Sequence, residues 1–152
     1  MDKIASFQVD HRKFGVGMYI SRIDGDIVTY DLRMVKPHGG RYISSPSLHT
    51  IEHLFATYAR NSFMRERVIY VGPMGCRTGF YLLLRGMNHE AAILLVKDSL
   101  KFISEYEGEI PGATEAECGN YLEHDLAAAK EDVKALLSAL DGYTPKHLVY
   151  PQ

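Results

Sequence analysis

The sequence contains no tryptophan and only two cysteines among 152 residues. Cys76 and Cys118 lie far apart and do not form the dense cysteine framework of a small secreted protein. Reduced thiols, free for metal binding or catalysis, are therefore the expected state. Charge of one sign is also lacking, since 17 basic residues stand against 19 acidic ones. This balance gives no indication of a nucleic-acid partner or a membrane-surface partner.

Long hydrophobic runs are absent as well. The longest uninterrupted apolar run is Ala91 to Val96, whereas a membrane-spanning helix needs about 20 apolar residues. The first residues are polar and charged, without the apolar stretch of a secretory signal. We therefore expect a cytoplasmic protein with no membrane partner, and its length predicts a single domain over residues 1–152.

A β-hairpin is predicted in the first quarter of the chain. Two stretches of strand-like composition, 16–23 and 27–35, flank an Asp-Gly turn at Asp24-Gly25-Asp26. In the second stretch one face is apolar and is assigned to the core, whereas the other presents Asp31 and Arg33 side by side. The core-facing residues are Val28, Tyr30, Leu32 and Met34.

The remaining pattern predicts two more strands and three helices. The strands are "RVIYV" and "FYLLLRG", on either side of the glycine-containing turn "GPMGCRTG". A helix is expected from Ser45-Pro46 to about residue 61, with Ser45 as N-cap, and another from 89 to about 106, capped by Asn88. The third runs from about 123 to 140. Strands and helices do not alternate regularly, which favours an α+β fold with an antiparallel sheet packed against helices.

The first long helix carries two histidines four residues apart. At this spacing His49 and His53 lie on one face, about 6 Å apart, and can bind one cation. Glu52 borders the same face and could reach a bound water or substrate. The alternative is that the two are ordinary, partly exposed histidines on an amphipathic helix.

The pattern His-x-x-Glu-His is also the inverted signature of zinc peptidases, which gives a metallopeptidase hypothesis with Glu52 as the general base. A catalytic metal needs a third protein ligand and an open position. Spacing does not select that ligand, and several carboxylates are further candidates beside the cysteines and histidines. The cysteine and histidine candidates for the third ligand are Cys118, Cys76, His11, His38, His89 and His124.

Cys76 lies in a turn beside Arg77. Nearby positive charge favours a thiolate, which can accept and return protons. The alternative for each of the two cysteines is a small, inert, buried side chain.

Taken together, the motifs resemble those of the S-ribosylhomocysteine lyase (LuxS) family, in the family's order and over most of the chain. No single motif is decisive, but the ordered set is highly specific. The motifs are "SFQVDH" at 6–11, "YDLR" at 30–33, "LHTIEH" at 48–53, "PMGCRTGFYL" at 73–82 and "ECGNY" at 117–121.

The resemblance implies a role for each matching residue. It implies Cys76 and Glu52 as the two acid/base residues, and a divalent metal held by three ligands, which are His49, His53 and Cys118. It further implies contacts to the sugar from Ser6, His11 and Arg33, and a contact to the homocysteine end from Arg60. Arg60 returns to nearly the face of His49, roughly 16 Å along the helix. Asp31, beside Arg33, is expected as a further contact.

The resemblance also implies the reaction. The family cleaves the thioether of S-ribosylhomocysteine into homocysteine and 4,5-dihydroxy-2,3-pentanedione, the autoinducer-2 precursor used in quorum sensing, and the same step belongs to the activated methyl cycle. Carbonyl migration from C1 to C3 precedes β-elimination, with a Lewis-acidic metal stabilising enediolates. One Fe2+ per subunit is implied, which Zn2+ or Co2+ can replace. The family is homodimeric, with active sites at the interface and Ser6 and His11 supplied by the partner.

Two departures from the family pattern stand out. The chain reads Tyr70-Val71-Gly72 where the family usually has Asp-Ile-Ser, and the loop "KPHGGRYISS" is also unusual. Two alternative functions remain open from the residues. One is a small zinc hydrolase, which would need Glu52 but not Cys76. The other is a non-catalytic metal-binding module, in which His124 or His11 would close the site as a fourth ligand.

Overall fold

The computed structural model describes all 152 residues. Its centre is a four-stranded antiparallel sheet with strand order β1-β2-β4-β3. The strands are β1 (Gly17–Asp24), β2 (Ile27–Arg33), β3 (Val68–Pro73) and β4 (Gly79–Arg85). The expected α+β class with an antiparallel sheet is thus confirmed.

The predicted hairpin forms between β1 and β2, with Asp24 paired to Ile27 across the turn. Gly25 has a φ of 62°, a left-handed conformation that glycine adopts without steric cost. Alternation along β2 buries Val28, Tyr30 and Leu32 completely. The opposite side of β2 carries Asp31 and Arg33, which are also buried, at 2% exposed each.

Five α-helices accompany the sheet. They are α1 (Ala5–Gln8), α2 (Ser45–Arg60), α3 (His89–Ser104), α4 (Leu126–Asp132) and α5 (Lys134–Ala139). Short 3-10 turns cover Arg65–Arg67 and Pro145–Leu148. The prediction of α3 and its cap is confirmed, since the Asn88 side chain accepts a hydrogen bond from the Ala91 N–H at 3.0 Å.

The third predicted helix was wrong in two respects. It begins at Leu126 rather than at about residue 123, because the Asp125 side chain caps the Ala128 N–H at 2.9 Å. It is also divided at Val133, where α4 ends and α5 begins. The apolar periodicity continues across this break, with Ala129, Val133 and Leu136 all fully buried, so periodicity did not reveal it.

Helix α2 begins one residue earlier than predicted. Ser44, not Ser45, is the N-cap, and its Oγ accepts from the Ser47 N–H at 3.3 Å. Pro46 then occupies the first turn, where a missing N–H leaves no intrahelical bond unmade. The cap fixes where the helix starts and therefore the direction in which His49 and His53 point.

Helices α2 to α5 pack on one face of the sheet around a single apolar cluster. Helix α2 contacts β3, α3 and α4, so it lies centrally among them. Ile51, Leu54 and Phe55 are completely buried in this cluster, which leaves the other face of α2 available for a site. No helix is both long and apolar enough to span a membrane.

Candidate metal centre and active-site cavity

The two histidines of α2 lie together on the face opposite its buried residues. The rings of His49 and His53 have centroids 4.6 Å apart and are nearly perpendicular. The i, i+4 spacing on a regular helix produces this proximity. The packing of Ile51, Leu54 and Phe55 against the core holds the helix in that rotation.

Each of these histidines is oriented by a backbone carbonyl. Nδ1 of His49 lies 2.8 Å from the Glu123 oxygen, and Nδ1 of His53 lies 2.8 Å from the Pro111 oxygen. A carbonyl only accepts, so each Nδ1 carries the proton and donates. Each Nε2 is then unprotonated and can bind a cation. Metal-binding histidines usually have this arrangement, in which the other ring nitrogen donates a hydrogen bond to a carbonyl or carboxylate.

Cys118 approaches the histidines from the loop between α3 and α4. Its backbone N–H is anchored to the Thr114 oxygen at 3.0 Å. Its Sγ lies 3.3 Å from Nε2 of His49. Two ligands of one tetrahedral cation with usual Zn–N and Zn–S bond lengths would be separated by roughly 3.6 Å. Sulfur and nitrogen therefore already lie close to the separation that coordination requires.

His124 is the fourth member of this cluster. One ligand atom from each of His49, His53, Cys118 and His124 lies within 4.8 Å of the others. The His124 ring stacks on His49, with centroids 4.0 Å apart, and its Nδ1 lies 3.0 Å from the Thr50 hydroxyl. Its Nε2 is buried without a hydrogen-bond partner. Burial lowers the pKa of His124, and the neighbouring His49 and His53 lower it further.

These residues fit a divalent transition metal. Two imidazoles with free Nε2 atoms and one thiol form a donor set suited to Fe2+, Co2+ or Zn2+. The unpartnered Nε2 of His124 is explained if a cation, or a water held by it, lies beside that atom. The expected metal site on a helix is supported by this geometry, and sequence spacing alone had left His124 as one candidate among many.

A second site, a cavity of about 570 Å³, contains Cys76. That volume is within the roughly 300–1,000 Å³ of small-molecule sites. Four of the predicted residues, Ser6, His11, Arg33 and Cys76, line it together with Thr78 and other residues. The structure therefore brings the expected sugar-contacting residues to one acid/base candidate, and in this chain Ser6 and His11 lie in the same cavity as their own Cys76.

Arg33 is held rigidly at the base of this cavity. Its Nη2 lies 2.6 Å from Oδ2 of Asp31 and its Nε 3.1 Å from Oδ1, a two-point ion pair. Tyr150 donates to the same Asp31 Oδ2 at 2.6 Å, and the Phe14 ring lies 5.0 Å from the guanidinium. Burial opposes the charge of Arg33, but the hydrogen bonds and charge of Asp31 outweigh it and raise the pKa of Arg33.

Asp31 does not itself line the cavity. Both of its oxygens are engaged by Arg33, one of them also by Tyr150, and the residue is only 2% exposed. The expected contact of Asp31 with substrate stays a prediction, and the observed partners of its carboxylate are Arg33 and Tyr150. Tyr150 belongs to the C-terminal segment, and no sequence pattern pointed to it.

The thiol of Cys76 contacts Arg33 and Thr78. Nη1 of Arg33 donates to Sγ at 3.8 Å and to Oγ1 of Thr78 at 2.6 Å. Because that Thr78 oxygen accepts from the guanidinium, its proton is available to Sγ, 3.0 Å away. The guanidinium of the adjacent Arg77 lies 5.8 Å from the Tyr42 ring centroid and donates to the Ile43 oxygen at 3.5 Å. A distant arginine thus provides the positive environment expected for Cys76.

Glu52 and Arg60 line a third region, a recess that also includes His53. Glu52 further lines a small cavity with His49 and the Pro73–Gly75 turn. This turn also forms part of the wall of the Cys76 cavity. The metal cluster and the Cys76 cavity therefore share one wall, and no hydrogen bond joins Cys76 to the cluster.

Comparison with known proteins identifies the family. The profile of S-ribosylhomocysteinase (LuxS) matches residues 4–146. An S-ribosylhomocysteine lyase of Porphyromonas gingivalis is 46% identical, with 99% of each chain covered. The corresponding lyase of Clostridium acetobutylicum is 43% identical over the full length of both chains. The chain belongs to the LuxS family. A further S-ribosylhomocysteine lyase, from Borreliella afzelii, is 42% identical, with 99% of this chain and 100% of that one covered.

Membership of the LuxS family confirms the resemblance drawn from the ordered motifs and supports the lyase interpretation over the peptidase one. The fourth clustered histidine, His124, does not change this conclusion. Thr78 and Tyr150 were not predicted as partners of Arg33 and Asp31, although Thr78 lies within the "PMGCRTGFYL" motif. The hydrogen bonds that reveal them, to Arg33 and Asp31, are visible only in three dimensions.

Proposed function

We propose that this protein is a metal-dependent carbon–sulfur lyase that converts S-ribosylhomocysteine into homocysteine and 4,5-dihydroxy-2,3-pentanedione. The observation that supports it most directly is the cluster of His49, His53 and Cys118 in a chain of the LuxS family. When bound there, a divalent metal supplies Lewis-acid stabilisation of negative charge on sugar oxygens. We propose that residues 1–152 act as one lyase domain located in the cytoplasm.

Cys76 is assigned the early proton transfers. Carbonyl migration along the sugar requires a group that removes a proton from one carbon and returns it to the next. The Cys76 thiol is exposed in the cavity, with the Arg33 guanidinium at 3.8 Å and the Thr78 hydroxyl at 3.0 Å from its Sγ. Cys76 can therefore hold the proton between the two transfers.

Glu52 is assigned the later transfers. It lies on the metal-facing side of α2 and lines both the recess with His53 and the cavity with His49. Removal of the C4 proton, once the carbonyl has reached C3, expels the thiolate by β-elimination. A carboxylate at this position can accept that proton and deliver one to the departing sulfur.

The remaining residues bind and orient the substrate. Ser6, His11 and Arg33 would contact sugar hydroxyls, since all three line the Cys76 cavity. Arg60 would bind the carboxylate of the homocysteine end, in the recess beside His53. Asp31 is proposed to act through Arg33, which it fixes in the charged form and in one orientation.

We further propose one Fe2+ per subunit, with Zn2+ or Co2+ able to replace it, and a homodimer with sites at its interface. Exposed apolar residues of the N-terminal segment, Ile4 and Phe7 at 57% and 70% exposed, support association. The Cys76 cavity and the metal cluster share only the Pro73–Gly75 wall within one chain. A partner subunit whose Ser6 and His11 lie against the metal cluster would join the sugar-contacting residues to the metal centre.

The direct test measures thiol release from S-ribosylhomocysteine by protein loaded anaerobically with Co2+. We expect steady release by the wild type. Replacement of either acid/base group, in Cys76→Ala or Glu52→Gln, should lower kcat by at least about 100-fold, the usual contribution of such a group. Retained metal content in both variants controls for collapse of the site. Fully metallated wild-type protein that releases no thiol would exclude the lyase.

Interface sites are tested by subunit mixing. His11→Ala and His53→Ala are each expected to be inactive alone. If the partner supplies His11 to the metal centre, a mixed dimer contains one complete site and turnover returns on mixing. If both residues act within one chain, no mixture recovers activity.

A further inference from the structure

The C-terminal segment wraps around an edge of the sheet. Strand β1 is at that edge, and Leu148 is completely buried in the apolar cluster on the helix side. Two residues later, Tyr150 lies on the opposite side, where its hydroxyl donates to Asp31 at 2.6 Å. The Tyr143 hydroxyl fixes the path of the segment, because it accepts from the Met18 N–H at 3.1 Å and donates to the Met18 oxygen at 2.8 Å.

The Tyr150 ring packs between two other aromatic rings. It stacks on Tyr19, with centroids 4.9 Å apart and planes 15° apart, and its centroid lies 5.0 Å from that of Phe14. Phe14 in turn lies 5.0 Å from the Arg33 guanidinium. Tyr150 therefore contacts two groups that hold Arg33, since its hydroxyl binds Asp31 and its ring packs on Phe14.

The Tyr150 hydroxyl completes the hydrogen bonding of the Asp31 carboxylate. Burial and the charge of Asp31 raise the pKa of Tyr150, so the hydroxyl keeps its proton and donates. Oδ2 of Asp31 accepts both this bond and one from Nη2 of Arg33 at 2.6 Å, while Oδ1 accepts from Nε. Both lone pairs of Oδ2 are then used. The carboxylate cannot rotate away from the plane of the guanidinium without losing a bond.

The orientation of Arg33 matters under the proposed function, on which this inference rests. Its guanidinium donates only to side chains, namely Asp31, Thr78 and the Cys76 thiol. No backbone oxygen holds it, so its position depends on how firmly those side chains are themselves held. A displacement on the order of 1 Å at a reacting group can cost about 100-fold in rate.

We propose that Tyr150 is a positioning residue of the lyase. Its hydroxyl fixes the Asp31 carboxylate and its ring fixes Phe14, and together these hold the Arg33 guanidinium beside the Cys76 thiol. Tyr150 is not among the residues that line the Cys76 cavity, so it acts through Arg33 and not on the substrate. The C-terminal segment is thus a supporting part of the active site.

The kinetic test uses two tyrosines of the same segment as a matched pair. Tyr150→Phe removes the hydroxyl that binds Asp31, whereas Tyr143→Phe removes one that binds only backbone groups. We expect kcat for S-ribosylhomocysteine to fall by about 3- to 10-fold in Tyr150→Phe, the equivalent of one hydrogen bond, and to stay within about 2-fold in Tyr143→Phe. Tyr150→Leu also removes the ring that packs on Phe14 and should lower kcat further, by up to about 100-fold.

Two kinetic outcomes would overturn the proposal. Equal losses of kcat in Tyr150→Phe and Tyr143→Phe would mean that any loosening of the segment has this effect. A raised KM at unchanged kcat would mean that Tyr150 supports substrate binding alone and not the placement of Arg33 for the chemical step.

A second measurement reports the orientation of Arg33 without turnover. Its Nε–H is buried and donates to Asp31 at 3.1 Å, so its hydrogen exchange with solvent can be followed by NMR on isotope-labelled, zinc-loaded protein. We expect exchange at least about 10-fold faster in Tyr150→Leu and unchanged in Tyr143→Phe. Unchanged exchange in Tyr150→Leu would contradict the proposal. A wild type that releases no thiol would exclude the lyase function, whereas the exchange rate would still show whether Tyr150 fixes Arg33.

Discussion

The buried ion pair between Asp31 and Arg33 permits a quantitative prediction. Both side chains are 2% exposed, and two hydrogen bonds at 2.6 and 3.1 Å join them. Replacing one partner of such a pair leaves an uncompensated buried charge and typically costs about 3–5 kcal/mol. In Asp31→Leu the Tyr150 hydroxyl also loses its acceptor. Total stabilities are only about 5–15 kcal/mol, so we expect a large fraction of the stability to be lost.

The expected result is a decrease in Tm of about 6–20 °C for Asp31→Leu, from about 2–4 °C per kcal/mol in a chain of this size. Thermal and urea unfolding of the metal-loaded protein measure it. The companion variant Asp31→Leu/Arg33→Met removes both charges and should recover much of that loss, because apolar side chains of similar size replace a buried pair at little cost. It should remain catalytically inactive, since Arg33 contacts the Cys76 thiol.

Two outcomes would refute this reasoning. One is a Tm of Asp31→Leu within 2 °C of the wild type, about 1 kcal/mol or less, which would mean that Arg33 finds water or another partner. The other is a double variant no more stable than the single one, which would show that packing rather than charge dominates. Full activity in the double variant would separate Arg33 from the chemistry.

Three further predictions concern the metal, alkaline pH and the anchoring of α2. If the free metal concentration is 1,000 times its Kd, chelation should remove about 4 kcal/mol of stability. Measured by calorimetry, Cys118→Ser should lose less stability on chelation than the wild type. Burial and the charge of Asp31 raise the pKa of Tyr150 in the folded protein. Its neutral side chain therefore makes its full contribution to stability at any pH below about 10, the pKa of tyrosine in the unfolded chain. Above that pH its contribution should fall by about 1.4 kcal/mol per pH unit, and Tyr150→Phe should show a shallower alkaline loss in urea titrations. Asp132→Ala should cost about 1–3 kcal/mol in urea unfolding, because Ser47 on α2 then loses the acceptor of its 2.6 Å bond, whereas an unchanged midpoint would contradict that role.

Local patterns predicted most of the secondary structure. The alternation along β2, the Asp-Gly turn and the Asn88 cap each act within a few residues, so they can be read directly from the sequence. The division of the last helix at Val133 was missed, because its apolar spacing continues across the break. The N-cap of α2 was predicted one residue too late, because the adjacent Ser44 and Ser45 offer equivalent caps.

The site was predictable only in part. The helical spacing of His49 and His53 gave their proximity, but the choice of Cys118 needed the family resemblance, because a ligand from a distant loop has no characteristic spacing. Arg33 donates to Thr78, and its ion-pair partner Asp31 accepts from Tyr150, two contacts with residues far away in the sequence. Such contacts depend on how strands and termini assemble, which local propensities do not encode.

The hydrogen bonds from His49 and His53 to the Glu123 and Pro111 carbonyls have a further consequence. They join both histidines to the loop that also delivers Cys118, so the cation and this loop segment stabilise each other through thermodynamic linkage. Loading the metal should slow amide hydrogen exchange across residues 107–125 while leaving the distant β1–β2 hairpin unaffected. Exchange in this loop would then report metal occupancy without any substrate present.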